Sequence, residues 1–221
     1  MSAPLDFKPA AWPGNVTLAG HYGSVVKLNP LQHAHTLWNA VKDHPDLWNY
    51  MSYGPFATAK AFDEWLITRA ALTDPYVYAI LDRDGHAIGL AALMNIHPEM
   101  GAIEVGHITY SPALQRTRLG TEAQFLLASY TFDTLGYRRY EWKCNALNAA
   151  SRSAAQRYGF SFEGIFRQHM VVKGRNRDTA WFSIIDSEWP ARKAAFERWL
   201  APENFDKQGQ QKARLSDLMK D

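Results

Sequence analysis

Residues 110–123 read YSPALQRTRLGTEA, and this junction between a strand and a helix decides the fold of the chain. Thr121 and Gln124 predict a capping box at the start of the helix, and Gly136 fits its end. The apolar residues of the predicted buried stripe are Phe125, Ala128, Phe132 and Leu135. A loop before a helix offers unpaired backbone N–H groups and the positive end of the helix dipole, which suits a phosphate group. Arg116 and Arg118 favour that interpretation, although a basic loop is also typical of a solvated connection.

The pattern on both sides of this junction predicts an α+β fold around one mixed, mostly antiparallel sheet flanked by helices. Alternation and turn residues predict about seven strands, at 24–28, 76–81, 87–96, 102–110, 139–144, 160–172 and 179–186. Helical spacing predicts further helices at 31–42, 59–72 and 149–158. A polar turn is expected at 173–178, between the last two strands.

Composition narrows the class of protein. The chain has 221 residues, 47% of them hydrophobic and 21% charged, and a formal charge of +2. These values exclude a disordered chain and give no global electrostatic preference for nucleic acid or an anionic membrane. The single cysteine, Cys144, cannot form an intramolecular disulfide, and prolines at positions 4, 9 and 13 interrupt any signal-peptide-like run. We therefore expect a cytoplasmic protein without a membrane span.

Three segments are predicted along the chain. Residues 1–23 are rich in proline and glycine and are expected to form an irregular N-terminal arm. Residues 24–186 carry the ordered pattern of one domain. Residues 187–221 begin as a helix and then turn polar. The two flanks are expected to supply dimer contacts or a lid over the site, so a homodimer is one expectation for the partners.

The junction resembles motif A of the GNAT superfamily of CoA-dependent N-acyltransferases, which reads Q/R-x-x-G-x-G/A and is often followed by Thr-Glu-Ala. Gln115, Gly120 and Thr121-Glu122-Ala123 match this motif, whereas Arg118 stands in place of its first glycine. Downstream, 145–151 and 157–160 resemble the N-x-x-S and G-F pattern of the ribosomal-protein N-terminal acetyltransferases (RimJ/RimL type). The resemblance covers about residues 24–186 and implies the GNAT fold.

This resemblance implies a binding site for acetyl-CoA. The pyrophosphate would lie on the loop formed by Gln115, Arg116, Thr117, Arg118, Leu119, Gly120 and Thr121. Pantetheine would run along Ile108, Thr109 and Tyr110, and would contact Asn148, for which helix capping is the alternative role. A positive φ at Arg118 would cost about 1–2 kcal/mol in a residue other than glycine. The Arg118 guanidinium is expected to offset this by reaching the CoA phosphates.

Acyl transfer to an amine needs a base for the amine and an acid for the departing thiolate. Glu104 is the candidate base, because strand parity places it on the face of Tyr110 unless a bulge intervenes; a structural salt bridge is its alternative role. His107, of opposite parity, is a weaker candidate. The resemblance implies that Ser151 is the acid, because Ala155 occupies the position where many GNAT enzymes have a tyrosine. Tyr158 is the alternative donor, and a first-turn hydrogen bond is the structural role open to Ser151.

The acceptor side carries fewer signals. Trp48, Tyr50 and Tyr53, with Phe56, lie in the loop between the first two helices and are expected to form core packing or the wall of an acceptor pocket. The basic turn at 173–178 is expected to be a solvated hairpin end or to meet an acidic partner or a second subunit. No metal is expected: His33 and His35 stand two residues apart and make a poor pair of ligands. Cys144 alternates with apolar residues and is expected to be buried.

Together these features predict an enzyme that moves an acetyl group from acetyl-CoA to a primary amine, either a protein N-terminal α-amine or a small-molecule amine. Direct attack on the thioester is expected. Two alternatives stay open: a catalytically weak CoA-binding module, and a transferase for succinyl or another acyl group.

Overall fold

A single sheet of eight strands organises the computed structural model, which describes residues 5–220. The strands are β1 (Thr17–Ala19), β2 (Ser24–Lys27), β3 (Tyr76–Leu81), β4 (Ala87–His97), β5 (Ala102–Tyr110), β6 (Arg139–Asn145), β7 (Ser161–Val172) and β8 (Arg175–Ile185). The helices are α1 (Pro30–Val41), α2 (Ala59–Ala70), α3 (Arg118–Ser129), α4 (Ala149–Arg157), α5 (Trp189–Leu200) and α6 (Leu215–Leu218). Residues 1–4 of the predicted arm and residue 221 of the predicted tail lie outside the described range.

The strands follow the order β1-β2-β3-β4-β5-β6-β8-β7, and every neighbouring pair except β5–β6 is antiparallel. The predicted α+β class with a mixed, mostly antiparallel sheet is confirmed. The strand beyond the predicted seven is β1, inside the segment predicted as irregular, where Thr17 pairs with Val26. One apolar core packs the sheet against α3, α5 and α6, and a second packs its other face against α1 and α2. In the part of the chain described, no helix has the length and apolar character that a membrane crossing requires.

The sheet opens in its middle, between β5 and β6. These strands pair only from Ala102–Arg139 to Val105–Trp142. Beyond that point β5 continues to Tyr110 and β6 to Asn145 without pairing to each other. The edge of β5 that faces β6 therefore has no strand partner after Val105.

A bulge at His107 reverses the alternation of β5. Gly106 pairs with Ala92 and Thr109 with Leu90, so β5 has one residue more than β4 in this interval, and His107 has a φ of +49°. Because one extra residue turns the following side chains to the opposite face, Glu104 faces α1 and α2 whereas Tyr110 faces α3. The hydroxyl of Tyr110 donates to the Gly120 carbonyl of α3. The predicted shared face of Glu104 and Tyr110 is therefore wrong.

Helix α3 begins one turn earlier than predicted. Thr117 is its N-cap, and its Oγ1 accepts the Gly120 N–H at 3.0 Å. The predicted capping box is wrong because both of its side chains have other partners. Thr121 Oγ1 accepts from Arg157 at 3.1 Å, and Gln124 Nε2 donates to the Tyr110 hydroxyl at 2.8 Å.

The β7–β8 hairpin is longer and tighter than predicted. Its strands extend to Val172 and from Arg175, so the turn consists of Lys173 and Gly174 rather than six residues. Lys173 Nζ donates to the Trp48 carbonyl at 2.9 Å. The tip of the hairpin therefore contacts the loop between α1 and α2.

Candidate functional site

One cavity of about 1060 Å³ lies where β5 and β6 diverge. Its lining comes from both faces of the sheet, so the cavity passes through the sheet. We call one part the α4 half; its lining includes Tyr110, Gln115, Gln124, Asn148, Ser151, Ala154 and Tyr158. We call the other part the hairpin half; its lining includes Tyr50, Tyr53, Asn95, Glu104, His107, Glu141, Lys143, His169, Arg177 and Trp181.

The predicted pantetheine and pyrophosphate residues fall into two groups. Ile108, Thr109, Tyr110, Gln115, Asn148 and Ser151 line the cavity, whereas Arg116, Thr117, Arg118, Leu119, Gly120 and Thr121 form the adjoining loop and the first turn of α3. Gln115 Nε2 donates to the Tyr110 carbonyl at 2.9 Å, which joins the loop to the end of β5. A Cβ on Gly120 would lie 2.7 Å from the Leu114 carbonyl oxygen, so the loop requires glycine there.

Arg118 differs from its sequence-based expectation. The positive φ of this loop is at Arg116, at +59°, while Arg118 is the first residue of α3. No strain therefore arises from replacing the first glycine of the motif at Arg118. Its guanidinium lies 3.6 Å from the ring centre of Phe205 and 5.6 Å from that of Tyr22. A contact between Arg118 and the CoA phosphates stays a prediction.

Glu104 has one oxygen bound and one oxygen free of hydrogen bonds among the described residues. Its Oε2 accepts from Asn95 Nδ2 at 2.6 Å and from Lys143 Nζ at 2.9 Å. Its Oε1 lies 3.4 Å from the position that a Cβ on Gly106 would occupy. Glu104 is 5% exposed and lines the hairpin half. A proton can therefore be taken up at Oε1 while Oε2 holds the side chain in place.

Opposing effects act on the pKa of Glu104. Burial raises the pKa, and the charge and hydrogen bond of Lys143 oppose this, with the net result above the usual value. Lys143 Nζ also pairs with Glu141 at 2.7 Å, and Glu141 pairs with Arg139. Sequence reasoning missed Lys143. The available signal was the position of Lys143 beside Glu141 on one face of β6, in a strand–helix–strand segment of the kind that pairs its two strands in parallel.

Ser151 and Asn148 sit at the start of α4. Asn148 is the N-cap and accepts the Ser151 N–H at 3.0 Å, so its predicted alternative role as a cap is present. Trp142 Nε1 lies 3.0 Å from Ser151 Oγ. Because an indole N–H can only donate, Ser151 Oγ accepts this bond and its own hydroxyl is the donor, for which the Cys144 sulfur is a partner within the protein. Tyr158 also lines the α4 half, and burial raises the pKa of its hydroxyl.

His107 forms a pair with Tyr53 across the cavity wall. The Tyr53 hydroxyl lies 2.7 Å from His107 Nδ1, and the two rings stack with centres 5.6 Å apart. Burial lowers the pKa of His107 to about 4, so the ring is neutral at pH 7. The bulge brings His107 to the cavity despite its predicted opposite parity.

The aromatic residues of the loop between α1 and α2 lie partly in the core and partly in the cavity wall. Tyr50 and Tyr53 line the cavity, and the Tyr50 hydroxyl donates to the Leu147 carbonyl at 3.2 Å. Trp48 is 2% exposed and packs on Phe56 and other rings of the second core, without lining the cavity. The predicted substrate contact of Trp48 is therefore wrong, because its ring is needed for packing.

Other candidate residues lie apart from acyl-transfer chemistry. Cys144 lines the cavity wall but is 6% exposed, and burial raises the pKa of its thiol. His33 Nδ1 accepts the Asn29 N–H, as part of a helix start. Potential metal ligands Asp82, Asp84 and His86 group in the exposed β3–β4 turn, and none of the three lines the cavity.

Comparison with known proteins identifies relatives along the chain. The "Acetyltransferase (GNAT) domain" family matches residues 26–161. A GCN5-related N-acetyltransferase from Brucella melitensis is 48% identical in sequence, with a TM-score of 0.95, over 97% of this chain and 99% of that one. A "probable" GNAT-family acetyltransferase from Chromobacterium violaceum is 42% identical, with a TM-score of 0.82, over 86% of this chain and 98% of that one.

A curated relative matches over a shorter length. It is the "Putative ribosomal N-acetyltransferase YdaF" of Bacillus subtilis, which is 27% identical over 110 residues. The match covers 50% of this chain and 60% of that relative. The predicted resemblance and the expected fold are confirmed by these matches.

Proposed function

This chain belongs to the GNAT acetyltransferase family, and on that premise we propose that it transfers an acetyl group from acetyl-CoA to a primary amine. The acceptor is a protein N-terminal α-amine or a small-molecule amine. One observation carries the proposal: a single cavity joins an open strand edge and Ser151 on one face of the sheet to Glu104 on the other. A thioester and an amine can therefore meet between β5 and β6.

The residues of the α4 half fit CoA. The unpaired edge of β5 after Val105 can hydrogen-bond an extended ligand that carries amides, as pantetheine does. Gln124 Oε1 is buried without a hydrogen-bond partner, and Gln124 lines the cavity. Thr117 Oγ1 accepts the Gly120 N–H at the first turn of α3. The backbone N–H groups that precede Gly120 in this turn can donate to the pyrophosphate. When bound, acetyl-CoA supplies the thioester whose carbonyl carbon the amine attacks.

Glu104 is the base of the proposed reaction. At pH 7.4, deprotonation costs about 0.5 kcal/mol for an α-amine and about 4 kcal/mol for a lysine amine. Glu104 Oε1 takes the proton from the amine, directly or through one water molecule, while Asn95 and Lys143 hold Oε2. Burial lowers the pKa of His107 to about 4, which makes its neutral ring a weak base, and Tyr53 occupies its Nδ1. We therefore assign the base to Glu104 rather than His107.

Ser151 is the acid of the proposed reaction. The carbon–sulfur bond breaks as the new carbon–nitrogen bond forms, and the sulfur needs a proton. Ser151 passes its hydroxyl proton to the sulfur, since Trp142 Nε1–H already donates to its oxygen. Ser151 then takes a proton from water, and Glu104 releases the amine proton to water, which restores both side chains. Tyr158 is another hydroxyl of the α4 half, but it is more deeply buried than Ser151.

The decisive experiment measures thiol release from acetyl-CoA with a panel of peptide N-termini and small amines. We expect turnover with at least one acceptor, and slower turnover with succinyl-CoA. Saturable CoA binding without turnover on any acceptor would favour a binding module instead. Faster turnover with succinyl-CoA would indicate a different acyl group, and absence of CoA binding would contradict the proposal.

Glu104→Gln tests the assignment of the base. We expect kcat to fall about 100-fold, because the amide cannot accept the proton, with the KM for acetyl-CoA unchanged. Glu163→Gln is the matched control: Glu163 pairs with Arg139 at the outer end of the same ion network and does not line the cavity. Equal activity of the two variants would contradict the role of Glu104.

A further inference from the structure

The hairpin half contains polar groups that the proposed reaction does not use. They lie on β8, the second strand of the β7–β8 hairpin. This hairpin also carries the basic segment 173–178 that was noted in the sequence. Directly paired residues share a face of a sheet, and β6 pairs with β8 at Lys143–Trp181 and Asn145–Thr179. Arg177, two residues before Thr179, therefore faces the same side of the sheet as Lys143 and Glu104.

Arg177 is a cation fixed in position but not neutralised. Its Nε donates to Thr179 Oγ1 at 3.2 Å, and Thr179 is 1% exposed. Within residues 5–220, no carboxylate forms an ion pair with Arg177, and this includes Asp46 of the cavity lining. The two terminal amino groups of the guanidinium are left to bind an anion as a fork.

Trp181 adds a second donor to the same region. Its Nε1 is buried and has no hydrogen-bond partner, although Trp181 lines the cavity. The acids nearest along the sheet, Glu104 and Glu141, are both bound to Lys143. Arg177 and Trp181 therefore keep donors for which no carboxylate of residues 5–220 is recorded as acceptor, and a ligand that supplies negatively charged oxygen would satisfy them.

We propose that Arg177, assisted by Trp181, binds a carboxylate of the acceptor, so that the preferred acceptor is an amine that also carries an acidic group. This inference rests on the proposed function, because it concerns the acceptor of the same cavity. It deepens that function by naming the chemistry that selects the acceptor.

The distance between Arg177 and Glu104 restricts the acceptor further. Glu104 pairs with Glu141, which pairs with Ser183, six residues along β8 from Arg177. At about 3.3 Å per residue, the two backbone positions are about 20 Å apart along the strands. The two side chains shorten this gap, but the amine and carboxylate of a free α-amino acid sit on one carbon, so a longer, extended acceptor suits the separation better. An extended peptide with an acidic side chain within about its first five residues can reach both side chains.

The test uses peptides that differ in one residue. Pentapeptides with Glu scanned through positions 2–5 are compared with the matching Gln peptides, on the natural protein, Arg177→Met and Arg175→Met. Binding to the CoA-loaded protein is measured by calorimetry, and turnover by thiol release. Arg175 is exposed on the same hairpin and does not line the cavity, so Arg175→Met controls for net charge.

We expect one Glu peptide to bind about tenfold more tightly than its Gln counterpart to the natural protein and to Arg175→Met. Arg177→Met should abolish this preference and leave the KM for acetyl-CoA unchanged. Equal binding of the Glu and Gln peptides to the natural protein, or a raised KM for acetyl-CoA in Arg177→Met, would overturn the inference. Calorimetry measures peptide binding without catalysis. If the Glu peptide still binds more tightly but no turnover is found, the result contradicts the proposed function and leaves the inference about Arg177 intact.

Discussion

Lys143 forms two ion pairs in the hairpin half: its ammonium group contacts Glu104 at 2.9 Å and Glu141 at 2.7 Å. Its ammonium also lies 4.0 Å from the ring centre of Trp181. Burial disfavours the ionised form of a carboxylate, and a nearby cation favours it. Lys143 therefore holds Glu104 Oε2 in place and opposes the effect of burial on the pKa of Glu104.

Lys143→Met should move the acidic limb of the kcat/KM profile to higher pH. Burial raises the pKa of Glu104 and the Lys143 charge lowers it, so removing that charge raises the pKa further. A base must be deprotonated, and we expect a shift of about one pH unit or more. Profiles from pH 5 to 9 measure it. Lys193→Met, which breaks an exposed pair with Asp133, should leave the limb in place; a shift in both variants would contradict this role.

Ser151→Ala should lower kcat about tenfold with little change in the KM for acetyl-CoA, because the departing sulfur loses its proton donor. Ser151→Thr keeps the hydroxyl and should restore most of the activity. Ser153→Ala removes an exposed hydroxyl from the same helix and serves as the control. A loss of activity in Ser151→Ala that Thr does not restore would indicate a packing role for Ser151 beside Trp142.

Glu104, Ser151 and Gln115 could be singled out from the sequence because each belongs to a local pattern; all three line the cavity, and their roles stay predictions. The positions of Trp48 and Arg118 could not be predicted in this way, because they depend on contacts with distant parts of the chain and on where α3 begins. Trp48 could equally have lined a pocket, and only the contacts with α2 place it in the core. Arg118 matched a glycine position by spacing, but α3 starts earlier than the pattern indicated, and that start places Arg118 in ordinary helical geometry.

At the scale of elements, the bulge in β5 and the early start of α3 together form the site. Side chains along a strand alternate between the two faces of the sheet, and one extra residue reverses this alternation. The hydrophobic pattern of β5 does not show where such a residue lies. The bounds of β3 and β5 match their predicted ranges, whereas β8 begins at Arg175, before its predicted start at residue 179. The side of the sheet that each residue faces was predicted well only up to Gly106.

The N-cap of α3 can be tested against that of α2. Thr117 caps α3 and Thr58 caps α2 in the same manner, at 3.0 and 3.2 Å. Thr117→Ala and Thr58→Ala should each lower the free energy of unfolding by about 1 kcal/mol in urea titrations. Only Thr117→Ala should also raise the Kd for acetyl-CoA in calorimetry, several-fold, because the loop that would hold the pyrophosphate loosens. Similar CoA affinity in both variants would argue against a phosphate site at this helix start.

At the scale of the whole molecule, both flanks converge on α3. Glu122 accepts the backbone N–H groups of His21 and Tyr22 at 2.6 and 2.8 Å, and Tyr22 donates to the Leu200 carbonyl. From the C-terminal side, Phe205 packs on Arg118. The flanks therefore hold the start of α3 from two sides, and their expected part in a homodimer stays a prediction.

Glu122→Gln should destabilise the protein by about 1–3 kcal/mol, because an amide group would face a backbone N–H that now donates to a carboxylate. Urea unfolding followed by circular dichroism measures this change. Glu64→Gln, which removes a carboxylate from the exposed Lys60–Glu64 pair, should change the free energy of unfolding by less than about 0.5 kcal/mol. Equal stability of the two variants would show that the N-terminal arm is held by apolar packing instead.

The bulge at His107 also constrains how this gene can vary. Substitution by asparagine or glycine keeps the left-handed backbone at a φ of +49° and leaves the register of β5 intact. Deletion of the codon removes the one residue by which β5 exceeds β4, so the pairs Gly106–Ala92 and Thr109–Leu90 would stay in register and Ile108, Thr109 and Tyr110 would keep their faces. In a deep mutational scan of protein abundance that includes single-codon deletions and insertions, position 107 should therefore tolerate those two substitutions and its own deletion, whereas insertion of one more residue there should be damaging because it turns the following side chains to the opposite face.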